Sequence, residues 1–258
     1  MTKTPPNDTM SAATDEGPEP EGHARNDQPS DGHATAQPAG TQRAVTRDRV
    51  ESSVREALLT GRFIPGNPVT LRGLAAELGV SPMPVREAVR ALAAAHALDM
   101  QPNGRIRVPR MTAQRFDELL HARILLEPHV AALALDALDK AAAADLTQID
   151  DAIDESLRTG DVESYMRLNH AFHFRIYRAA GSEVVLPLVE TVWLQFAPFM
   201  RTVYGRVGTF VVQDMHKEAI AAIRRNDREG LRHAIECDIR DGMGIIGHSV
   251  LGKPDDAA

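Results

Sequence analysis

Asn169 and His173 stand four residues apart in LNHAFHFRI, so on a helix an amide oxygen and an imidazole share one face and could bind a common ion. His216, in QDMHKEAI, and Asp238, in ECDIRDGM, fall on later helical stretches. Imidazole plus carboxylate suits a divalent transition metal: zinc, nickel, manganese or iron. Spacing alone leaves open that these are ordinary core or surface residues. His170, beside the apolar stripe, reads as outward or supporting, and His121, His129 and His233 have no supporting neighbours. Arg123 and Glu127, also four apart, can pair with each other, or Arg123 can offer a buried cation to a carboxylate effector. Arg175 and Arg201 are further candidates for that role.

A second group of cations lies in SPMPVREAVRAL. On a helix there, Val85, Val89 and Leu92 form the inward stripe, while Met83, Arg86 and Arg90 project from another face. An apolar underside with a cationic outer side is what a helix needs to enter a DNA major groove. Arg72, near the start of the preceding helix, can reach phosphate, and Arg105 and Arg107 flank Asn103-Gly104. An arginine-rich face by itself is more often merely solvated. The order helix, turn, helix, hairpin over Leu71 to Val108 is what turns these cations into a winged helix-turn-helix.

The elements that must position both groups can be read from periodicity and capping. Val50, Val54 and Leu58 give one helix face, and Gly61 suits its C-cap. Pro65-Gly66 makes a turn. Thr70 can cap the next helix, which Gly79 ends. Ser81 can cap the third, with Pro82 at its first position and Pro84 in its first turn. Pro102-Asn103-Gly104 suits the turn between two short strands. Beyond Thr112, helices are expected near 113–137, 141–158, 161–179, 183–203, 208–226 and 227–250, an all-α bundle. The predicted fold is therefore mainly α, with a small β-hairpin wing.

Composition sets the boundaries. Residues 1–44 hold no Val, Leu, Ile, Phe, Tyr or Trp and six prolines, so they are expected to be a disordered acidic tail. Residues 45–111 then form the winged helix-turn-helix, 112–251 the helical domain, and 252–258 a short tail. The chain carries a net charge of −7, yet residues 44–112 carry ten arginines against six acidic residues. Phosphate attraction is local, so acidity elsewhere does not veto DNA binding. Cys237 is alone, which excludes an internal disulfide and fits a reducing cytoplasm. No apolar run reaches the roughly 20 residues of a membrane span, and no secretory h-region is expected at the N-terminus.

The stretch LTGRFIPGNPVTLRGLAAELGVSPMPVREAVRAL resembles the N-terminal domain of GntR-type bacterial transcription regulators. That resemblance implies that Arg72, Ser81, Met83, Pro84, Arg86 and Gly104 lie at the DNA. Many members carry arginine directly after the Val-Ser pair, where Pro82 stands here, so one contact is lost or replaced. Arg123–Glu127, the LNxxFHxxIYRAAG stretch and the 22-residue step from His216 to Asp238 resemble the FCD ligand domain of the FadR subfamily. Many of its members hold a metal with one Asp and three His. The resemblance implies the set Asn169, His173, His216 and Asp238, with the carboxylate moved from the first position to the last.

The expectation is a cytoplasmic homodimer that reads a palindromic operator in double-stranded DNA, most simply as a repressor. A small organic or sugar acid in the helical domain, at the metal and Arg123, would control operator affinity. Two other readings stay open: a metal-dependent helical-bundle enzyme, and a sensor of the metal ion itself.

Overall fold

Ala39–Leu59 forms helix α1, whose Val50, Val54 and Leu58 are buried together as their spacing predicts. The computed structural model describes residues 39–63, 68–207 and 214–251, which fall within one unit, Pro38–Ala258. Helix α1 starts ahead of the boundary expected at 44, so residues 39–44 are helical rather than tail. The remaining tail residues and the Pro65-Gly66 turn lie outside the described residues.

Strand β1 (Val69–Thr70) leads directly into α2 (Leu71–Glu77). The Thr70 side chain accepts from the Gly73 N–H, the cap expected of it. Helix α3 (Pro82–Ala94) follows and buries Val85, Ala88, Val89 and Leu92. Ser81 stands at its N-cap without making a side-chain cap bond. A cap oxygen accepts from the second or third helical N–H, and Pro84 at the third position has none.

The wing is β2 (Asp99–Met100) and β3 (Arg105–Arg107), paired antiparallel with Met100 opposite Ile106. Gly104 turns the chain at φ +75°, and the Asn103 side chain accepts from the Arg105 N–H. Strand β1 pairs with the other edge of β3, giving the order β1-β3-β2. A two-residue strand carries no periodicity, so only this pairing reveals it.

The helical domain runs α4 (Ala113–Ala134), α5 (Lys140–Thr159), α6 (Val162–Tyr177), α7 (Val185–Val207), α8 (His216–Arg225), α9 (Arg228–Cys237) and α10 (Ile245–Leu251). Thr112, Asp139, Asp161 and Asp227 cap the N-termini of α4, α5, α6 and α9 through side-chain oxygens. Of the helix expected over 208–226, residues 208–213 lie outside the described residues. The helix expected to run unbroken from 227 to 250 is instead interrupted by a π-helical turn over Asp238–Gly244. Gly242 and Gly244 supply the low side-chain bulk there, and π-helical turns inside helical segments are frequent at functional sites. Asp238 is the first residue of this turn.

Two apolar cores result. The larger lies among α4–α10; the smaller lies among α1–α3 and the wing. Leu194 of α7, a helix of the larger domain, belongs to the smaller core.

Candidate functional site

His173 on α6 and His216 at the start of α8 are fully buried, and their rings lie 5.4 Å apart. Asp238 lies between them. Its Oδ2 is 3.2 Å from His173 Nε2 and its Oδ1 is 3.8 Å from His216 Nε2. Neither Nε2 has a hydrogen-bond partner in aligned geometry. One ligand atom from each of the three residues lies within 4.8 Å of the other two.

The other ring nitrogens fix the tautomers. Tyr177 donates its hydroxyl proton to Glu127 Oε2 at 2.8 Å, so its oxygen must accept from His173 Nδ1 at 3.0 Å. His216 Nδ1 sits 3.2 Å from Asp150 Oδ1 and donates to it. In the neutral rings both Nε2 lone pairs therefore face the Asp238 carboxylate. Asp238 Oδ1 also accepts from the Met215 N–H at 3.1 Å, but the two Nε2 lone pairs converging on the carboxylate in a buried space call for a donor or a cation: a proton, a water or a metal ion. The electrostatics agree. Burial would lower the His216 pKa, but the bond to Asp150 and the charges of Asp238 and Asp214 outweigh it and raise it. Burial would raise the Asp238 carboxyl, but His173 and His216 outweigh it and hold it well below the usual carboxylate range.

Asn169 is buried one turn before His173 and lines the same small cavity as Asp238, Arg123, Tyr165 and Tyr204. That cavity measures about 20 Å³, room for one water or ion. Arg123 is buried and pairs with Glu127 at 2.6 Å, with its guanidinium 4.5 Å above Trp193 and 4.9 Å above Phe196. The Arg123–Glu127 pair read from spacing is therefore present, and Arg123 also reaches the cavity wall. Glu127 thus ties Arg123 to Tyr177 and, through it, to His173.

Arg175 and Arg201, expected near the effector, stand elsewhere. Arg175 pairs with Asp145 at 3.2 Å on the outer side of α6 and lines a separate surface groove. Arg201 packs on Gly61 at the end of α1, so closely that a Cβ added at Gly61 would fall 2.3 Å from the Arg201 Cβ. Sequence reasoning misses Asp150, Tyr177 and Trp193 as site residues. Asp150 carries a signal: it interrupts the apolar stripe Leu146, Ile153 on α5, and a carboxylate on a buried stripe needs a partner.

On the opposite domain, α3 presents Ser81, Met83, Arg86 and Arg90 to solvent, with Met83 62% exposed. Pro84 and Gly104 are half-buried, and Arg72 and Arg105 are exposed. Of the eight residues expected at DNA, Ser81, Met83, Pro84, Arg86 and Arg90 lie at or on α3, Gly104 and Arg105 on the wing, and Arg72 on α2. No ion pair to another described residue is formed by Arg72, Arg86, Arg90 or Arg105, so each charge stays available to phosphate or base.

Comparisons with known proteins place these two halves. Residues 46–108 match the bacterial regulatory proteins of the gntR family, and residues 118–241 match the FCD domain. The HTH-type transcriptional regulator McbR of Escherichia coli K12 is 27% identical over 77% of this chain and 91% of its own. The gluconate operon transcriptional repressor of Bacillus licheniformis is 24% identical over 79% of this chain and 86% of its own. The solved structure of Escherichia coli McbR/YncC matches with a TM-score of 0.74 at 25% identity, covering 79% of this chain and 98% of that one. No described helix is long and apolar enough to cross a membrane. Recognition helix, wing and buried helical pocket therefore have one reading: the chain belongs to the GntR family, a DNA-binding transcription regulator with an FCD effector domain, and not an enzyme.

Proposed function

We propose that this regulator releases or engages its operator in response to a small carboxylate metabolite bound at a divalent metal ion. The observation that carries this is the pair of unpartnered Nε2 atoms of His173 and His216 facing Asp238 inside the helical domain. Those three residues would hold the ion, with Asn169 beside them. Zinc, nickel, manganese and iron all accept this donor set. When bound, the ion offers open positions to a carboxylate or hydroxyl oxygen.

Arg123 would take part of the effector's charge, sharing it with Glu127. A sugar or organic acid cannot fit a cavity of about 20 Å³ as it stands. It would enter by moving the surrounding helices apart. Its binding energy then acts on the arrangement of those helices, which differential affinity for two states requires. Several relatives support a sugar or sugar-acid effector by name: a gluconate repressor, a galactonate repressor and a probable D-xylose utilization repressor.

Homodimerisation on a palindromic site would put two α3 helices on DNA, in a cytoplasmic protein. Leu125 and Leu133, two turns apart on the outer side of α4, are 74% and 48% exposed, and Val184 and Leu188 near the start of the adjacent α7 are 73% and 51% exposed. Such apolar exposure supports a subunit contact there.

Calorimetric titration with a panel of organic and sugar acids, before and after chelation, tests the proposal. A ligand whose binding disappears with the metal is expected, and His173→Ala with His216→Ala should abolish metal uptake. Full metal occupancy in that double variant would disprove the ligand set. Operator affinity that follows metal alone, with no acid effective, would favour the metal-sensor reading.

A further inference from the structure

Three consecutive residues of α7 touch three different parts of the molecule. Trp193 lies 4.5 Å below the Arg123 guanidinium, and its ring is 5.4 Å from that of His173. Leu194 is 1% exposed and buried in the core of the DNA-binding domain. The side-chain oxygen of Gln195 accepts from Arg115 Nη2 at 2.8 Å. The same Nη2 donates, also at 2.8 Å, to the carbonyl of His96.

His96 is the residue that closes the recognition helix. It follows the C-cap Ala95 and adopts φ +56°, the left-handed conformation that ends a helix. Arg115 therefore grips the last turn of α3 from the sensor side, and Gln195 holds Arg115 in place. A guanidinium bound to a backbone carbonyl is a charge-assisted bond, stronger than a neutral one. Pro198 lacks an N–H, so the helical bond onto the Leu194 carbonyl is missing and α7 can bend at this segment.

We infer that Arg115 is a positioning residue for DNA recognition, and that Trp193–Gln195 is the segment through which the pocket shares its position with helix α3. A shift of Trp193 under Arg123 moves Leu194 within the DNA-domain core and Gln195 against Arg115 in the same step. Pocket and recognition helix are then coupled through side-chain contact between two bodies, not through the covalent link at residues 109–112. The inference rests on the assignment of α3 as the DNA-reading helix.

The test uses the full chain with Arg115→Ala, Gln195→Ala and Arg115→Lys. Amide exchange is followed by mass spectrometry over residues 95–98 and, as internal control, over α2. DNA affinity is measured on a duplex selected from random sequence by the wild-type protein, and zinc uptake by titration. In Arg115→Ala, exchange over 95–98 should rise about tenfold, the loss of roughly one charge-assisted bond. DNA binding should weaken, zinc uptake and α2 exchange should stay as in the wild type, and Arg115→Lys should recover most of both losses. Gln195→Ala should reproduce the effect in smaller degree. Unchanged exchange over 95–98 in Arg115→Ala overturns the inference. So does a rise that spreads equally through α2, which would mean loosening of the domain core. A wild-type protein that takes up no zinc would remove the metal proposal while leaving the exchange and DNA results to decide this one.

Discussion

His216 is held by Asp150 at its Nδ1, 3.2 Å away, which leaves its Nε2 buried and unpartnered toward Asp238. The two residues come from α8 and α5, 66 positions apart in the chain. A carboxylate behind an imidazole fixes the ring's orientation and raises its basicity as a ligand. Asp150→Asn keeps the shape and removes the charge. Metal affinity should fall by about ten- to a hundredfold, read by competition with a chromophoric chelator. Unaltered affinity would show that Asp150 only fills space.

Arg86 on α3 is exposed with no ion pair to a described residue, while Val85 beside it is fully buried. Arg86→Ala should therefore weaken operator binding by about 1–3 kcal/mol if the side chain reads a base pair. Thermal stability and metal uptake should be untouched. Electrophoretic mobility shifts over a salt series would separate base reading from phosphate contact. A variant that binds DNA like its parent removes Arg86 from the interface.

Leu125 on α4 and Leu188 on α7 place apolar side chains in solvent on adjacent helices. Leu125→Glu combined with Leu188→Glu should shift the protein toward monomer by putting two charges into a desolvated contact. Sedimentation velocity reads the change, and operator affinity should fall with it. A double variant that sediments as the wild type would put the subunit contact on another face.

His248 on α10 donates to the Gly244 carbonyl at 2.6 Å and faces Asp117 Oδ1 on α4 at 2.7 Å. With an acceptor at each nitrogen the protonated ring is favoured, so its pKa is raised above the ordinary value, by the Gly244 carbonyl first and Asp117 second. A raised folded-state pKa means the contribution is fully present below the unfolded value, about 6.5 for histidine. It is lost as pH rises through the higher folded value. Both side chains are about half exposed, so the effect is small. The difference in melting temperature between wild type and His248→Gln should shrink from about pH 6 to pH 8. A difference that stays constant over that range would show the contact to be independent of charge.

What can be read from the residues in order is what short-range periodicity encodes. Val85, Val89 and Leu92 have to share one face of a helix, and all three are fully buried. Thr70 has to cap, and it does. His173 and Asn169, one turn apart on α6, have to lie on one side, and both are buried toward the pocket. Ser81 has the same capping character but makes no cap bond, and Pro84 lacks the third-position N–H of the kind Thr70 uses in α2.

The amino-acid order by itself determined which helix faces are apolar and which carry Arg86 and Arg90, or Asn169 and His173, because each depends on neighbours within a turn or two of helix. Tertiary structure alone decided the rest. Asp150 reaches His216 only because α5 packs on α8, and Asp238, at the end of α9, faces the histidines only because α9 packs on α8. Arg201 lies against Gly61, beyond the end of α1, a contact between residues 140 positions apart. Arg115 meets His96 across the boundary between sensor and DNA-binding domain. These contacts join segments far apart in the chain, and no local spacing records which distant surface a buried polar group will find.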